Sequence, residues 1–273
     1  MLISSDIPRR RPAGQLRPFV TSYIEFDMAG WPPGRHRGLP DSSLAIVLSL
    51  GEPVTIGRAG CPDLTVAASV GGLHRRPIDI VHTGVQRGVQ LELTPRGARA
   101  LLSVPAAELT DGVWSLDEVA GQRAAELLER LEAARSAAER AAILDRVLAS
   151  WATDDEYPVA VDAAWRALTG PATSVSQVAT DLDLSRRHLN HIVRAELGLA
   201  PKTIARIARF GAARRCLTSG RATSLAQAAA ICGYFDQAHM TNEWKQLGDC
   251  TPGEWVAAEL PFLQDSLGMP AAS

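Results

Sequence analysis

The sequence predicts an α+β protein. Its N-terminal part is a small antiparallel β barrel or sandwich followed by a helix pair, and its C-terminal part is all α. Short apolar or alternating runs, separated by turn residues, occupy about the first 95 residues. Stretches rich in Ala, Leu, Glu and Arg follow, a composition typical of helices. In about the last hundred residues, two helical segments repeat one pattern, which predicts two helix-turn-helix units joined by a linker helix.

Five stretches of the N-terminal part are predicted to be strands. They are rich in β-branched and aromatic residues or run apolar, and turn sequences such as WPPG, LGEP and VGG lie between them. Short strands at this spacing indicate a small antiparallel barrel or sandwich. The predicted strands are residues 19–28, 43–50, 64–70, 78–83 and 87–94.

Residues 116–151 are predicted to form an antiparallel helix pair, because each half carries one apolar stripe at helical spacing. Ser136, with Glu139 three residues later, is a capping-box pattern for the start of the second helix. A polar stretch that ends in Pro158 then indicates a linker. The predicted division is a first domain over 1–152, β-rich to about 95 and helical over 96–152, a linker over 153–158, a second domain over 159–263, and a disordered tail over 264–273.

The second domain contains the repeated pattern. In each copy a short helix is followed by a turn and by a second helix, and the leading residues Ser174 and Ser224 are fifty positions apart. Ser185 and Asp236 are predicted to cap the two second helices. One such pair occurs by chance in helical proteins, whereas two in tandem with polar second helices indicate a DNA-reading domain.

The outward faces of these two helices carry groups that bind bases and phosphates. Arg donates two hydrogen bonds to guanine, Asn bonds adenine in a similar way, and Lys binds phosphate. The opposite face of the later helix is apolar, with Met240, Trp244 and Leu247 predicted to be buried. The candidate DNA-binding residues are Ser185, Arg186, Arg187, Asn190, His191 and Arg194 in the first unit and Asp236, Gln237, Ala238, His239, Thr241, Asn242 and Lys245 in the second.

These two segments resemble the halves of the DNA-binding domain of the AraC/XylS family of bacterial transcription regulators. The resemblance covers roughly the last hundred residues, in order and in spacing. It implies two helix-turn-helix units held by a long linker helix and bound to successive major-groove turns of double-stranded DNA. The matched residues are Leu184, Ser185, Arg187, His188, Leu189, Leu197, Gly198, Pro201, Lys202, 206–209, Ala228, Ala229, Gly233, Tyr234, Asp236, Gln237, His239, Lys245, Thr251, Pro252 and Trp255.

Three positions depart from that pattern. His191 and Asn242 stand where the family usually has Arg, which lowers the positive charge of the contact face. Asp249 stands where a Gly normally ends the second recognition helix, with Gly248 one position earlier. Because Gly adopts left-handed backbone geometry more easily than Asp, we expect this last change to affect the turn.

The N-terminal segment resembles the corresponding part of some members of the same family, which implies a sensor or dimerisation domain. His36, His74, Arg75 and His82 are the candidate effector-binding residues, with the Arg side chain suited to an anion. No metal site is predicted, because the histidines lack the H-x-H spacing of a cupin, and no cofactor is expected. The expected partners are DNA, a small-molecule effector, RNA polymerase if the chain is an activator, and a second copy of the chain if it is a dimer.

Composition narrows the remaining classes of function. The net charge is −2, although residues 171–260 carry ten Lys and Arg against eight Asp and Glu. The four cysteines form no C-x-x-C pair, and no apolar run has the length of a membrane helix or a signal peptide, so the sequence predicts a cytoplasmic protein. Two alternatives remain, namely a protein-interaction module with weakened DNA binding and a DNA-repair enzyme fused to the same helices. Cys61 is the one cysteine of residues 1–150, too few for a zinc-cysteine repair site, and we expect no enzyme.

Overall fold

A computed structural model describes residues 9–30, 32–58, 61–153, 156–170 and 174–265. Its N-terminal part consists of two antiparallel sheets, which confirms the predicted fold class. The strands of the described residues are β1 (Arg9–Arg10), β2 (Val20–Met28), β3 (Gly34–Gly38), β4 (Leu44–Ser49), β5 (Val54–Arg58), β6 (Cys61–Val66), β7 (Ala68–Gly71), β8 (Ile78–His82), β9 (Gln86–Leu93) and β10 (Val113–Ser115).

The strands are divided between a six-stranded sheet in the order β1-β2-β9-β4-β7-β10 and a four-stranded sheet in the order β3-β8-β5-β6. The single strand predicted over 64–70 is wrong. The chain bends at Ala67, and β6 pairs in the smaller sheet whereas β7 pairs in the larger one. Such a switch of sheets makes a corner of a barrel-like sandwich, and an uninterrupted apolar run in the sequence hides it.

The two faces of the six-stranded sheet differ in side-chain size. Leu44, Ile46 and Leu48 on β4 are completely buried and belong to the main hydrophobic core. The alternating residues Ala45 and Val47, being smaller, line a cavity between the sheets instead. The large aliphatic face therefore forms the core, and the other face leaves open space.

Five α-helices of the described residues follow β9 in this half of the chain, and β10 lies between the second and the third of them. Gly121, with φ of 62°, separates a short helix from the long pair, so residues 116–151 form three helices rather than the predicted two. Ser136 caps the last of them by accepting a hydrogen bond from the Glu139 amide, as predicted. The Glu139 carboxylate accepts a hydrogen bond from the amide of Arg135 and not from that of Ser136. The helices are α1 (Pro95–Leu102), α2 (Ala106–Leu109), α3 (Leu116–Ala120), α4 (Gln122–Ala133) and α5 (Ala137–Trp151).

The remaining described residues are helical with short turns, and both predicted helix-turn-helix units are present. Ser185 and Asp236 cap the second helix of each unit by accepting hydrogen bonds from the amides of His188 and His239. The 18-residue helix α9 between the units is about 27 Å long. The helices are α6 (Val159–Thr169), α7 (Val175–Asp181), α8 (Arg186–Leu197), α9 (Pro201–Thr218), α10 (Leu225–Ile231), α11 (Gln237–Gly248) and α12 (Pro252–Asp265).

The end of α11 shows what the Asp249 departure does. Asp249 itself adopts the left-handed conformation, with φ of 51°, and so takes the backbone role that a glycine would normally have. Gly248 stays helical and buried, and a methyl group there would lie 3.4 Å from the Phe210 ring. The helix thus ends at the expected place with a more strained cap.

Residues 266–273 of the predicted disordered tail lie outside the described residues. Within the described part of the chain, no helix is both long and apolar enough to cross a bilayer.

Candidate nucleic-acid interface and internal cavity

Helix α8 presents a continuous polar face to solvent. Arg187, Asn190, His191 and Arg194 are exposed, and Arg194 donates a hydrogen bond to the Asn190 amide oxygen at 3.3 Å. On the opposite side, Leu189, Val193 and Leu197 are completely buried. The remaining two candidates in this unit, Ser185 and Arg186, are exposed at the N-terminal end of the helix.

Helix α11 has the same two-sided character. Met240 and Trp244 are completely buried and Leu247 nearly so, as the sequence predicts. On the other side Asn242 and Lys245 are exposed, whereas Thr241 is half-buried. Four further candidates are exposed at the N-terminal end, namely Asp236, Gln237, Ala238 and His239.

Phe235 is a further candidate DNA contact, which was not predicted from the sequence. Its side chain is 93% exposed in the turn before α11, which is unusual for a large apolar group. Its amide donates a hydrogen bond to His239 Nδ1 at 3.3 Å. An aromatic side chain at this end of the helix is suited to contact a thymine methyl group.

The basic side chains of these two faces differ from the arginines of α9. Arg186, Arg187, Arg194 and Lys245 take part in none of the salt bridges formed among the described residues. The arginines of α9, in contrast, pair with carboxylates of other elements. The exposed polar faces therefore carry positive charge that is available to phosphate groups.

Helix α11 is held to α9 by a buried carboxylate. Glu243 is 4% exposed and accepts hydrogen bonds from Arg206 at 3.0 Å and from Arg209 at 2.8 and 3.2 Å. Burial alone raises the pKa of Glu243, but these two guanidinium groups bring it below its ordinary value. Arg209 also lies over the Tyr234 ring at 4.8 Å. No local sequence pattern links α9 to a residue 34 to 37 positions away, which is why this contact escapes prediction.

Helix α8 is held partly by the N-terminal half of the chain. Arg99 on α1 forms a two-pronged ion pair with the buried Glu196, with N···O distances of 2.9 and 2.7 Å. At the end of α8, the Thr110 hydroxyl donates to the Leu197 carbonyl at 2.9 Å. A side chain at Gly198 would lie only 2.6 Å from that hydroxyl, so the two halves are in close contact here.

The segment between β3 and β4 joins the N-terminal half to α6 and α9. Asp41 accepts a hydrogen bond from Arg214, both side chains are buried, and Arg215 lies 3.7 Å from the same carboxylate oxygen. Burial alone raises the pKa of Asp41, but Arg214 and Arg215 bring it below its ordinary value, so the Asp41 carboxylate is ionised at neutral pH. The Trp165 indole on α6 donates to the Ser42 carbonyl at 3.3 Å.

The same segment forms one wall of a cavity of about 410 Å³ between the two sheets. The four-stranded sheet contributes mainly aliphatic side chains to this space, such as Ile56 and Ile80. The six-stranded sheet contributes mostly smaller or polar ones, such as Ser69 and Gln90, together with the aromatic ring of Phe26. Asp41 lies at the boundary, since it lines the cavity and also pairs with α9.

The structure places three of the four candidate effector residues at the cavity and the fourth outside it. His36, His74 and His82 all line the cavity, and the His36 and His82 ring centroids are 5.5 Å apart. Burial, above all, lowers the pKa of both of these imidazoles. Arg75 does not line the cavity and is paired with Asp111 on the surface at 2.5 Å. Among the described residues, no group of three or more His, Cys, Asp or Glu is arranged to hold a metal ion.

Two family models match the chain. Residues 178–258 match a family described as a helix-turn-helix domain, which covers most of the first unit and all of the second, and residues 8–115 match a domain of unknown function (DUF6597). No curated protein matches the sequence significantly. The first match, together with the two exposed polar helices, defines the class of protein: the chain is a DNA-binding transcription regulator.

Solved structures share its fold over most of the length. An apo variant of ToxT from Vibrio cholerae aligns with a TM-score of 0.52 at 11% identity, over 91% of this chain and 99% of that one. ToxT with an unsaturated fatty acid bound gives 0.52 at 9%, over 92% and 98%. ToxT with a methylnaphthalenyl butenoic acid bound gives 0.52 at 8%, over 87% and 99%. The C-terminal domain of this chain is of the AraC type, as the sequence predicts.

Proposed function

We propose that α8 and α11 enter successive major grooves of one DNA site and read it with their exposed polar faces. The observation that carries this proposal is that the basic side chains of these two faces form no salt bridge among the described residues, whereas the four arginines of α9 all pair with carboxylates. At about 27 Å, α9 is a rigid spacer of nearly the 34 Å between adjacent groove faces. The proposed contacts are the thirteen residues predicted from the sequence.

We further propose that a small molecule in the cavity controls DNA binding. Asp41 supports this proposal, because its carboxylate lines the cavity and its partner Arg214 belongs to the helix between the two DNA-reading units. A ligand that moves the segment containing Asp41 changes the environment of α9 directly. ToxT has been crystallised with acidic ligands, an unsaturated fatty acid among them, which supports a ligand-binding role for the shared fold.

The DNA proposal is tested with the purified chain and the DNA upstream of its own gene. Arg187→Ala is expected to weaken specific binding by about 1–3 kcal/mol if Arg187 contacts a base. Arg130→Ala, which removes an exposed Arg on α4, serves as the control and is expected to leave binding unchanged. Affinities are measured at several salt concentrations on specific and random DNA. Binding to neither DNA contradicts the proposal and favours the alternative, a protein-interaction module.

We also propose a domain boundary, an oligomer interface, a protein partner and a cellular location. The division of the chain at 153–158 is supported by the polar sequence there, of which residues 154 and 155 lie outside the described part. A homodimer would use the outer faces of α4 and α5, since their inner faces are already buried in the core. Contact with RNA polymerase applies if the chain activates transcription. The domain class supports a cytoplasmic binding protein rather than an enzyme.

A further inference from the structure

The cavity is built as a binding space rather than as a defect of packing. Protein interiors are normally filled to the density of organic crystals, with few voids larger than a water molecule. A volume of about 410 Å³ lies within the range of about 300–1,000 Å³ for small-molecule sites. The six-stranded sheet fills its helix-facing side with Leu and Ile but places Ala45, Ser69 and Gly71 towards this space. Mostly small residues on the face towards the cavity keep the space open, although Phe26 of the same sheet also lines it.

Gln90 supplies a buried polar side chain to the wall of the cavity. The side chain is 3% exposed, lines the cavity, and its Nε2 has no hydrogen-bond partner among the described residues. A buried amide donor without an acceptor costs about 1–3 kcal/mol. A ligand that places an oxygen acceptor beside Gln90 would recover that free energy on binding.

The charges around the cavity are already neutralised or lie at its edge. Asp41 is paired with Arg214, and burial keeps the His36 imidazole neutral at neutral pH by lowering its pKa. Arg87 is the one Arg or Lys among the described lining residues, and it is exposed with its Nε bonded to the Leu50 carbonyl at 3.2 Å. An anion inside would therefore lose its hydration without meeting an unpaired interior cation.

From these three observations we infer that the cavity takes an uncharged, mainly apolar small molecule whose carbonyl or amide oxygen accepts a hydrogen bond from Gln90. The inference rests on the proposed effector role and names the ligand class for it. The expected ligand is uncharged, unlike the acids bound in solved structures that share this fold. The anion that the sequence suggested is no longer expected, because Arg75 lies outside the cavity.

A matched pair of probes tests the ligand class. Decanamide and decanoic acid have the same chain length and differ in charge at neutral pH. Isothermal titration of the full-length chain is expected to show decanamide binding about ten-fold or more tightly than decanoate. Equal or tighter binding of decanoate overturns the inference, and so does binding of neither probe.

A variant tests the role of Gln90. Gln90→Leu keeps the size of the side chain and removes a buried donor that has no partner, so the fold is expected to persist. Its affinity for decanamide should fall about ten-fold, the loss of one hydrogen bond of about 1.4 kcal/mol. Gln122→Leu on the exposed start of α4 is the control and should bind like the parent. Unchanged affinity of Gln90→Leu overturns the assignment of Gln90.

A parallel measurement keeps the inference and the proposed function apart. The same preparations are titrated with the upstream DNA, with and without decanamide. Absence of DNA binding by the parent chain without decanamide contradicts the DNA proposal, and unchanged DNA affinity with a bound amide contradicts effector control. Neither result alters the preference between amide and acid, which depends on the cavity alone.

Discussion

At the residue scale, two consecutive residues of α11 have different roles, one in the core and one on the surface proposed to bind DNA. Trp244 is completely buried, with its ring 4.7 Å from that of Phe210 and 5.4 Å from that of Trp255. Lys245 follows it directly and is exposed, without a salt bridge among the described residues. Because 3.6 residues make one turn, consecutive residues point about 100° apart, and this separation allows packing and DNA contact on one short helix.

Substitutions of Trp244 and Lys245 should therefore have different effects. Trp244→Ala is expected to destabilise the fold by about 3–5 kcal/mol, the range for loss of a buried large aromatic side chain. Lys245→Ala is expected to change stability by less than about 0.5 kcal/mol and to reduce the salt dependence of DNA binding by about one phosphate contact. Thermal melts and salt titrations of both variants measure this. If Lys245→Ala changes neither property, its face of α11 is only solvated surface.

At the scale of elements, the two recognition helices are fixed by different parts of the chain. Helix α11 is held by α9 through Glu243, whereas α8 is held by α1 and α2 through Glu196 and the Leu197 carbonyl. In both cases a buried carboxylate lies opposite an Arg from another element. The orientation of α8 thus depends partly on the N-terminal half, in addition to its packing against α6, α7 and α9, whereas the orientation of α11 depends on α9 and α10.

Because Glu243 joins α11 to α9, its substitution is predicted to lower both stability and DNA affinity. Glu243→Ala leaves Arg206 and Arg209 without their carboxylate and is expected to cost about 3 kcal/mol. Specific DNA affinity should fall as well, because α11 is no longer held in one orientation. Glu129→Ala, which removes an exposed Glu on α4, is the control and should stay within about 0.5 kcal/mol. Urea unfolding with parallel DNA titration measures both; a parent-like Glu243→Ala would show that the contact does not hold α11.

At the scale of the whole molecule, the buried pair of Asp41 and Arg214 connects the cavity wall to the DNA-reading half. Two buried side chains of opposite charge depend on each other, since either one alone would be a desolvated charge. The folded pKa of Asp41 lies below its unfolded value. Its contribution to stability is therefore present above the unfolded pKa and is lost as the pH falls through the folded pKa.

A double-mutant cycle measures this connection. Asp41→Asn is expected to destabilise the chain by about 3–5 kcal/mol, because Arg214 is left charged and buried. Asp41→Asn combined with Arg214→Met should recover much of that loss, since no unpaired charge remains. Urea unfolding of the two single variants, the double variant and the parent gives the coupling free energy. Additive losses would mean that the two side chains do not act as a pair.

Much of the helical half could be predicted from the sequence. The caps Ser185 and Asp236, the buried stripe of Met240, Trp244 and Leu247, and the AraC-type domain are all confirmed. The identity of the DNA-contacting side chains stays a prediction. These features are local, because helix caps and amphipathic stripes depend on residues three or four positions apart.

The N-terminal half was less predictable. Strand β3, with the sequence GRHRG, has no apolar alternation, and the break between β6 and β7 falls within an apolar run. A strand pairs with partners that lie far away in the sequence, so a polar segment becomes a strand only when its neighbours are in place.

The sequence by itself determined the class of the protein, two capped helix-turn-helix units and the apolar stripes that orient them. Only the tertiary structure decided that three of the candidate histidines line one cavity, that Arg75 does not, and that Asp41 joins this cavity to Arg214. The reason is the distance along the chain. Asp41 and Arg214 are 173 residues apart, and only the packing of the two halves brings such groups into one buried pair.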